Sequence, residues 1–296
     1  MRERKGVSMS ETNTLSRRDL LKTGGTVAAA AAATGLMPGE AESAKKKKKG
    51  KLPRWAMVVD LRRCVGCRGC CIADKAEYGA ALGRYNTVVK NVEWGKYPKP
   101  EKHFLPRLCN HCAGDESKEW QVPPCVEICP EAKSGERKKL GKAKYRTGAT
   151  YKRPDGMILI DASLCIGCYK CIDACPYGVR SPDPNVKLTR KDREKDIGVG
   201  KCTFCRHRAD EGYVTACGNT CQGRARVFGD LNDKKSKAYK LAKEHKLLEN
   251  RDKTTLLPAE KTNPHVFYID PDGVLEHYNK KLSKETKFAE YKSAFE

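Results

Sequence analysis

The chain has 296 residues, with 59 Lys or Arg against 37 Asp or Glu, and carries a formal net charge of +22 at pH 7. Only 7% of the residues are aromatic and the mean hydropathy is −0.69, which excludes a large, purely hydrophobic core. The sixteen cysteines are therefore expected to stabilise the fold, as cross-links or as metal ligands.

Residues 1–44 have the features of a twin-arginine signal segment. Arg17 and Arg18 precede an Ala- and Gly-rich apolar stretch, Thr23–Met37, which is shorter than the ~20 residues of a transmembrane helix. The lysine run in the basic linker 45–54 would oppose export through the general secretion channel. We expect the folded protein to be exported to the periplasm; an ordinary basic arm with an Ala-rich helix is the alternative.

The positive charge of the rest of the chain fits either a docking surface for acidic partners or an ordinary solvated surface. Nucleic acid is not expected as a partner, because an exported protein rarely meets it. Beyond residue 44 no apolar run approaches membrane-spanning length, so any membrane contact is expected to come through a partner.

The cysteines fall into four groups that alternate between two spacings. Groups one and three contain C-x2-C-x2-C, whereas groups two and four contain C-x2-C, a spacer of 12 or 11 residues, and C-x3-C. In chain order the groups are Cys64, Cys67, Cys70 and Cys71; Cys109, Cys112, Cys125 and Cys129; Cys165, Cys168, Cys171 and Cys175; and Cys202, Cys205, Cys217 and Cys221.

The C-x2-C-x2-C spacing is typical of a loop that wraps an iron-sulfur cluster. Three thiolates bind three irons of one cubane, and turn-forming residues such as Gly66 and Gly69 let the backbone curl around it. In two-cluster ferredoxins the fourth cysteine of each run goes to the other cluster. Groups two and three share a Cys-apolar-acid-apolar-Cys-Pro ending, in CVEICP and CIDACP. We therefore expect groups two and three to form one couple, and groups one and four the other.

An internal repeat leads into groups one and three. The segments MVVDLRRC, 57–64, and ILIDASLC, 158–165, each run from an apolar stretch through an aspartate to a cysteine four residues later. Each segment predicts a strand that ends at a cluster loop.

Other uses of the cysteines fit less well. Disulfides are common in exported proteins, but C-x2-C-x2-C triplets are poor disulfide geometry. Zinc ribbons could account for groups two and four alone. No C-x-x-C is followed directly by His, so c-type haem has no attachment site, and no P-loop or nucleophile elbow is present. We therefore expect four iron-sulfur clusters and no catalytic site.

The chain resembles the four-cluster iron-sulfur subunits of the dimethyl sulfoxide, polysulfide, tetrathionate and nitrate reductase families. The motifs that carry the resemblance lie in residues 55–232 and 262–273 and include CVGCRGC, CNHC, GATYKRPDGMILIDASLCIGCYKCIDACPYGVR, KCTFC and RVFGDL. The resemblance implies an α+β, loop-rich fold of two ferredoxin-like modules related by a pseudo-twofold. It also implies an electron-transfer subunit between a molybdopterin catalytic subunit and a membrane quinone-interacting subunit.

The resemblance further implies how the ligands are shared among four cluster sites, which we number 1 to 4. The ligand sets are Cys64, Cys67, Cys70 and Cys221 at site 1; Cys109, Cys112, Cys125 and Cys175 at site 2; Cys165, Cys168, Cys171 and Cys129 at site 3; and Cys202, Cys205, Cys217 and Asp74 at site 4. His111 and His207 stand beside ligand cysteines, but they are not expected to bind iron because the thiolates suffice.

The stretch CVGCRGCCIAD, 64–74, departs from the family's pattern. The fourth cysteine of this run falls on Asp74, and an extra cysteine, Cys71, follows Cys70. We expect three 4Fe-4S clusters, and at site 4 either a 3Fe-4S cluster or a 4Fe-4S cluster with an unusual ligand. Rescue by Cys71 is less favoured, because neighbouring side chains point in different directions.

Two segments extend the family's pattern. Residues 131–147 form a basic insertion, expected to be a surface loop available to a partner. Residues 233–296 form a C-terminal extension, expected either to contact a partner or to be plain surface, and beyond Gly273 they are only weakly patterned as a helix.

The sequence therefore predicts a periplasmic subunit that relays electrons between a quinone-interacting subunit and a molybdopterin catalytic subunit. One alternative keeps the relay but has multihaem cytochrome partners in a membrane complex without molybdenum. The other is a free soluble multicluster ferredoxin. No sequence feature separates the three well.

Overall fold

The computed structural model describes residues 51–119 and 121–282 of the chain. The predicted signal segment 1–44, the first part of the basic linker, 45–50, and the end of the C-terminal extension, 283–296, lie outside the described residues. Within the described ranges, no helix is long and apolar enough to cross a bilayer.

A three-stranded sheet organises the described residues around β1 (Trp55–Asp60). On one side of β1 lies β10 (Arg226–Asp230), which runs antiparallel to it; on the other lies β11 (Val266–Ile269), which runs parallel. Both neighbours come from far along the chain, so this sheet joins the two ends of the described region.

The other strands described by the structure pair as two-stranded antiparallel hairpins. They are β2 (Thr87–Lys96) with β3 (Lys99–Leu108), β4 (Arg137–Leu140) with β5 (Ala143–Arg146), β6 (Thr150–Lys152) with β7 (Ile158–Ile160), and β8 (Ser181–Lys187) with β9 (Ile197–Gly200).

The described helices are short, and the first five of them contain or directly follow a cysteine. They are α1 (Gly69–Tyr78), α2 (Pro124–Glu127), α3 (Lys170–Asp173), α4 (Arg206–Glu211), α5 (Ala216–Asn219), α6 (Lys237–Glu244), α7 (Arg251–Thr254) and α8 (Val274–Leu282), with single 3-10 turns at Leu61–Arg63 and Pro258–Glu260. The fold is thus a mixture of short helices and strands held together by long connections.

Every residue of β1 is buried, because both faces of its sheet are covered. Ala56 and Val58 face a small apolar core shared with α6. Met57 and Val59 face the main core, which also contains several of the cysteines. Since side chains alternate along a strand, β1 joins an ordinary apolar layer to the layer that holds the thiols.

Both strands predicted to lead into a cysteine loop are confirmed as β1 and β7. An aspartate at the end of each strand stabilises the turn that follows, because its carboxylate accepts the backbone N–H of the residue two positions later. The Asp60 carboxylate accepts the Arg62 N–H at 3.2 Å, and the Asp161 carboxylate accepts the Ser163 N–H at 3.0 Å. The repeat in the sequence is therefore a repeat of local structure, in which a capped turn carries the strand into the cysteine loop.

The described part of the C-terminal extension, 233–282, contributes to both cores. Phe267 and Tyr268 of β11 are fully buried, and the Tyr268 hydroxyl donates to the Pro106 carbonyl at 3.0 Å. The weakly patterned region after Gly273 forms α8, which buries Tyr278 in the main core. Contact between this extension and a partner stays a prediction.

The basic insertion 131–147 contains the β4–β5 hairpin. Its side chains are mostly exposed, and Tyr145 lies over Tyr151 with ring centroids 6.3 Å apart. The segment lies on the surface as expected, but it is a paired hairpin instead of an irregular loop.

A buried ion-pair network ties the β6–β7 hairpin to the rest of the fold. The Arg153 guanidinium, only 4% exposed, donates to Asp155 at 2.9 Å and to Asp210 at 2.6 Å. The Asp155 side chain is 1% exposed, and its backbone carbonyl accepts the Trp55 N–H at 3.1 Å. Without Arg153, a buried carboxylate would lose its positive partner.

We expect the Arg153→Met variant to unfold with a free energy about 3 kcal/mol lower than the parent, because removing one partner of a buried ion pair leaves the other charge uncompensated. Thermal unfolding followed by circular dichroism measures the change. The matched control is Arg193→Met, which removes an exposed ion pair with Asp196 of 2.8 Å and is expected to cost less than about 1 kcal/mol. Equal losses in the two variants would contradict the role of the network.

Candidate iron-sulfur cluster sites

The first C-x-x-C of each cysteine group forms the same turn, in which the second intervening residue is left-handed. These residues are Gly66 (φ 70°), His111 (φ 44°), Gly167 (φ 74°) and Phe204 (φ 54°). The turn directs backbone N–H groups at thiols: Gly167 N–H donates to Cys165 Sγ, and Phe204 N–H donates to Cys202 Sγ, both at 3.4 Å. Such arrays of N–H groups stabilise anions, so each loop is built to hold thiolates.

Gly66 fulfils the turn-forming role that its sequence position predicts. A Cβ atom there would lie 2.4 Å from the Phe104 ring, so the position requires glycine for space as well as for its φ. Gly69 does not fulfil that role. The left-handed residue of the second turn is Arg68 (φ 57°), matched in group three by Tyr169 (φ 59°), and Gly69 instead begins α1.

At site 1 the structure brings group one together with the distant Cys221. A small cavity is lined by the four predicted ligands, Cys64, Cys67, Cys70 and Cys221, together with Arg226. Burial raises the pKa of Cys64, and Cys70 and Cys221 raise it further. The four thiols therefore line one small cavity.

At site 2 the structure brings three thiols of group two next to Cys175 of group three. Burial raises the pKa of Cys112 well above its ordinary value, and the neighbouring Cys109, Cys125 and Cys175 raise it further against a hydrogen bond with Thr262. The four predicted ligands of this site thus lie within electrostatic range of one another.

At site 3 the fourth predicted ligand comes from group two instead: Cys129 lies with the three thiols of group three. Burial raises the pKa of Cys165, and Cys171, Cys129 and Cys168 add to the increase. The pKa of Cys129 is raised by burial and by Cys171 and Cys168 in the same way. Sites 2 and 3 thus exchange their fourth thiols.

At site 4 the predicted carboxylate lies among the thiols of group four. Asp74 raises the pKa values of Cys202, Cys205 and Cys217, in each case after the larger effect of burial. Asp74 is only 2% exposed, and its Oδ2 atom has no hydrogen-bond partner among the described residues.

Burial also raises the pKa of Asp74 itself to about 6, although a hydrogen bond with Asn86 opposes the shift. A buried carboxylate oxygen without a partner is costly. A cation bound at site 4 would supply that partner, so the donor set at Asp74 fits an iron atom.

Cys71 is buried and lies beside the ligand cysteines, where it pairs with the Cys70 thiol. Its Sγ atom lies 4.0 Å from Cys70 Sγ. The hydrogen bond between them lowers the pKa of Cys70 and raises the pKa of Cys71. This polarity suits Cys70 as a thiolate ligand and Cys71 as its hydrogen-bond donor.

The donor sets suit clusters better than single ions. Across the described residues, no three His, Cys, Asp or Glu side chains are close enough to share one metal ion, and none of the cysteines described there forms a disulfide. Thiols that surround a common space without closing on a point leave room for a cluster with its own inorganic sulfur.

Contacts between neighbouring sites give the order 1, 4, 2, 3. Arg226 lines the cavity of site 1 and lies 3.7 Å from Cys217 Sγ of site 4. The turn of site 4 contacts the turn of site 2 where Phe204 stacks on His111, and sites 2 and 3 are adjacent because groups two and three each supply thiols to both.

Cys67 at site 1 is exposed and three of the four thiols at site 3 are only partly buried, whereas site 2 has one partly buried thiol, Cys125, and the thiols of site 4 are all buried. The thiols of the two end sites are therefore more accessible than those of the middle sites.

The two histidines beside ligand cysteines have different environments. His111 is fully buried, accepts the Ile158 N–H through Nδ1 at 3.0 Å and stacks on Phe204 with ring centroids 3.7 Å apart. Burial holds its pKa well below the usual range, so it is neutral. His207 is on the surface and pairs with Glu77 at 2.5 Å. His111 lies in the contact between sites 2 and 4, a position that its sequence spacing alone does not indicate.

Several known proteins resemble this chain over about three quarters of its length. A family model described as a 4Fe-4S dicluster domain matches residues 100–231. A tetrathionate reductase subunit of Salmonella typhimurium is 34% identical over 222 residues, which cover 74% of this chain and 73% of that protein. A selenate reductase subunit of Mesobacillus selenatarsenatis is 33% identical over 239 residues, or 73% and 72% of the two chains.

The arsenate respiratory reductase iron-sulfur subunit of a Shewanella species is 34% identical over 264 residues, which cover 76% of this chain and 100% of that subunit. The range that the family model matches contains cysteine groups two, three and four. The chain belongs to the family of iron-sulfur electron-transfer subunits of reductase complexes, and its part in such a complex is electron transfer and not substrate chemistry.

Proposed function

We propose that this chain is a periplasmic subunit that passes electrons between a membrane quinone-interacting subunit and a molybdopterin catalytic subunit. The observation that carries the proposal is the series of four ligand sets, in which site 1 has an exposed thiol and site 3 has three partly buried thiols, while site 2 has one partly buried thiol and site 4 has none. A series whose ends are more accessible than its middle suits transfer between two partners. When bound, the clusters supply one-electron oxidation and reduction.

The proposed ligand sets are those of sites 1 to 4 as defined above, with three 4Fe-4S clusters and, at site 4, either a 3Fe-4S cluster or a 4Fe-4S cluster with Asp74 as an oxygen ligand. The convergence of each set in the structure supports this assignment. The orphaned Oδ2 atom of Asp74 supports it at site 4.

The proposed architecture is two ferredoxin-like modules related by a pseudo-twofold, one holding sites 1 and 4 and the other sites 2 and 3. The repeated features support it. Each module has a strand followed by a capping aspartate, Asp60 or Asp161, and a C-x-x-C turn with a left-handed glycine, Gly66 or Gly167. In each module, three cysteines of the group that comes first in the chain are completed by the last cysteine of the group that comes second. Cys221 of group four completes group one, and Cys175 of group three completes group two.

Docking at site 1 is supported by the surface around Cys67. Val65 is 63% exposed and Ile72 is 62% exposed, and Arg63 and Arg68 border the cavity of site 1. Exposed apolar side chains ringed by arginines suit a partner surface with apolar and acidic groups. This favours a subunit in a complex over a freely diffusing ferredoxin. Export by the twin-arginine route rests on the sequence of residues 1–44.

The proposal predicts about 15 or 16 iron atoms per chain, with a similar amount of acid-labile sulfide. Iron and sulfide analysis of the purified mature protein, with EPR of its oxidised and reduced forms, provides the test. Protein that contains zinc in place of iron, or no metal at all, would refute the cluster assignment.

The Asp74→Cys variant is expected to change the EPR spectrum of one cluster only, because it supplies a fourth thiolate at site 4. An oxidised-state 3Fe-4S signal, if present in the parent, is expected to disappear, with a gain of about one iron. The matched control, Asp173→Cys, places a cysteine on the exposed surface of α3 and should leave the spectra unchanged. Identical spectra for Asp74→Cys and the parent would rule out Asp74 as a ligand.

The Cys221→Ser variant is expected to lose or alter the site 1 cluster, although Cys221 lies far from group one in the sequence. The comparison variant is Cys71→Ser, which changes a cysteine adjacent to Cys70 but should keep the full iron content. EPR and iron analysis distinguish the two variants. If Cys71→Ser lost iron and Cys221→Ser did not, the ligand set of site 1 would be wrong.

A further inference from the structure

The positively charged side chains buried in the region of the cluster sites include Arg226, Lys201 and Arg180. Arg226 and Lys201 are each 4% exposed and Arg180 is 1% exposed. Within the part of the chain that the structure describes, no carboxylate forms an ion pair with any of the three. Burying an unpaired charge is expensive, so each of them requires a negative partner of another kind.

Arg226 lies between sites 1 and 4. Its Nη1 atom is 3.7 Å from Cys217 Sγ, and its Nη2 atom donates to the Thr87 hydroxyl at 2.7 Å. Its Nε–H has no hydrogen-bond partner among the described residues. The largest attractions on its charge come from Cys217 of site 4 and Cys70 of site 1.

Arg180 lies between sites 2 and 3 and repeats this arrangement. Its Nη2 atom donates to Cys125 Sγ at 3.1 Å, and its Nη1 atom donates to the Thr150 hydroxyl at 3.3 Å. Its charge is attracted first by Cys125 of site 2 and next by Cys171 of site 3. Each arginine therefore contacts one thiol and one threonine and interacts with the thiols of two sites.

The two arginines also share a spacing in the sequence. Arg180 is five residues after Cys175, the last cysteine of group three, and Arg226 is five residues after Cys221, the last cysteine of group four. Although groups three and four differ in their cysteine spacing, each is followed by its arginine at the same distance.

Lys201 occupies the remaining interval, between sites 4 and 2. Its ammonium donates to the backbone carbonyls of Ile158 and Cys202, the latter at 2.8 Å. The N–H of the same Ile158 donates to His111 Nδ1 at 3.0 Å, in the C-x-x-C turn of site 2. Each of the three intervals in the order 1, 4, 2, 3 thus contains one buried cation.

We propose that Arg226, Lys201 and Arg180 are shared counter-charges, each of which raises the reduction potentials of the two clusters that flank it. This inference rests on the proposed ligand sets. Reduction adds a negative charge to a cluster, and a fixed cation in a water-poor interval stabilises the reduced form more than the oxidised form. The cation also lessens the repulsion between two neighbouring anionic clusters.

The test is a potentiometric EPR titration of the purified cluster-containing protein and of three variants, Arg226→Gln, Lys201→Gln and Arg180→Gln. Signals are assigned to sites with Cys67→Ser for site 1, Asp74→Cys for site 4 and Cys168→Ser for site 3. We expect Arg226→Gln to lower the potentials of sites 1 and 4, Lys201→Gln those of sites 4 and 2, and Arg180→Gln those of sites 2 and 3. Each variant therefore serves as the control for the others.

The charge-preserving variants Arg226→Lys and Arg180→Lys are expected to keep both the iron content and potentials close to those of the parent. Loss of iron in these variants would overturn the counter-charge role, because they retain the charge and lose only the hydrogen bonds of the guanidinium. Unchanged potentials in a glutamine variant with full iron content would also overturn it. Absence of iron from the parent protein would instead refute the proposed function, so the two failures are distinguishable.

Discussion

The crowding of negatively charged ligands in a buried region is the constraint on which the rest of the structure depends. A thiol binds iron as a thiolate, and burial in this fold raises the pKa values of thiols such as Cys112, Cys202 and Cys217. The unloaded sites therefore favour neutral thiols, and metal binding must drive their deprotonation. Folding of the cluster region and loading of its sites are thus expected to be coupled.

The architecture follows from this constraint. Hairpins and helices of one or two turns suit a chain that must deliver a thiol every few residues, because a long helix would carry successive cysteines away from a common centre. The main core mixes cysteines with residues such as Met57 and Leu105 instead of forming a continuous apolar layer. The separate small core against α6 is the part that resembles an ordinary globular protein.

The spacing of the cysteines predicted most of the local structure of the candidate sites. The couples inferred from the CVEICP and CIDACP endings correspond to thiols that the structure brings together, and the strands before Cys64 and Cys165 are present as β1 and β7. These features were predictable because they depend on short stretches of sequence, in which a turn and its ligands lie only a few residues apart.

Features that depend on distant parts of the chain were not predictable in the same way. The parallel pairing of β11 with β1 joins segments about two hundred residues apart, and no local pattern specifies it. The burial of Arg180, Lys201 and Arg226 was also missed, since a charged residue is normally expected at the surface. The repeated five-residue spacing from cysteine to arginine was a signal that could have identified two of them.

The stack of His111 on Phe204 has a mechanical consequence. These residues occupy the same position in two equivalent turns, and their rings lie 3.7 Å apart with an angle of 16° between their planes. The stack therefore joins the loops of sites 2 and 4 through two fully buried rings. Because tunnelling rates fall steeply with distance, the packing of these two rings sets the separation across which an electron would pass between the two sites.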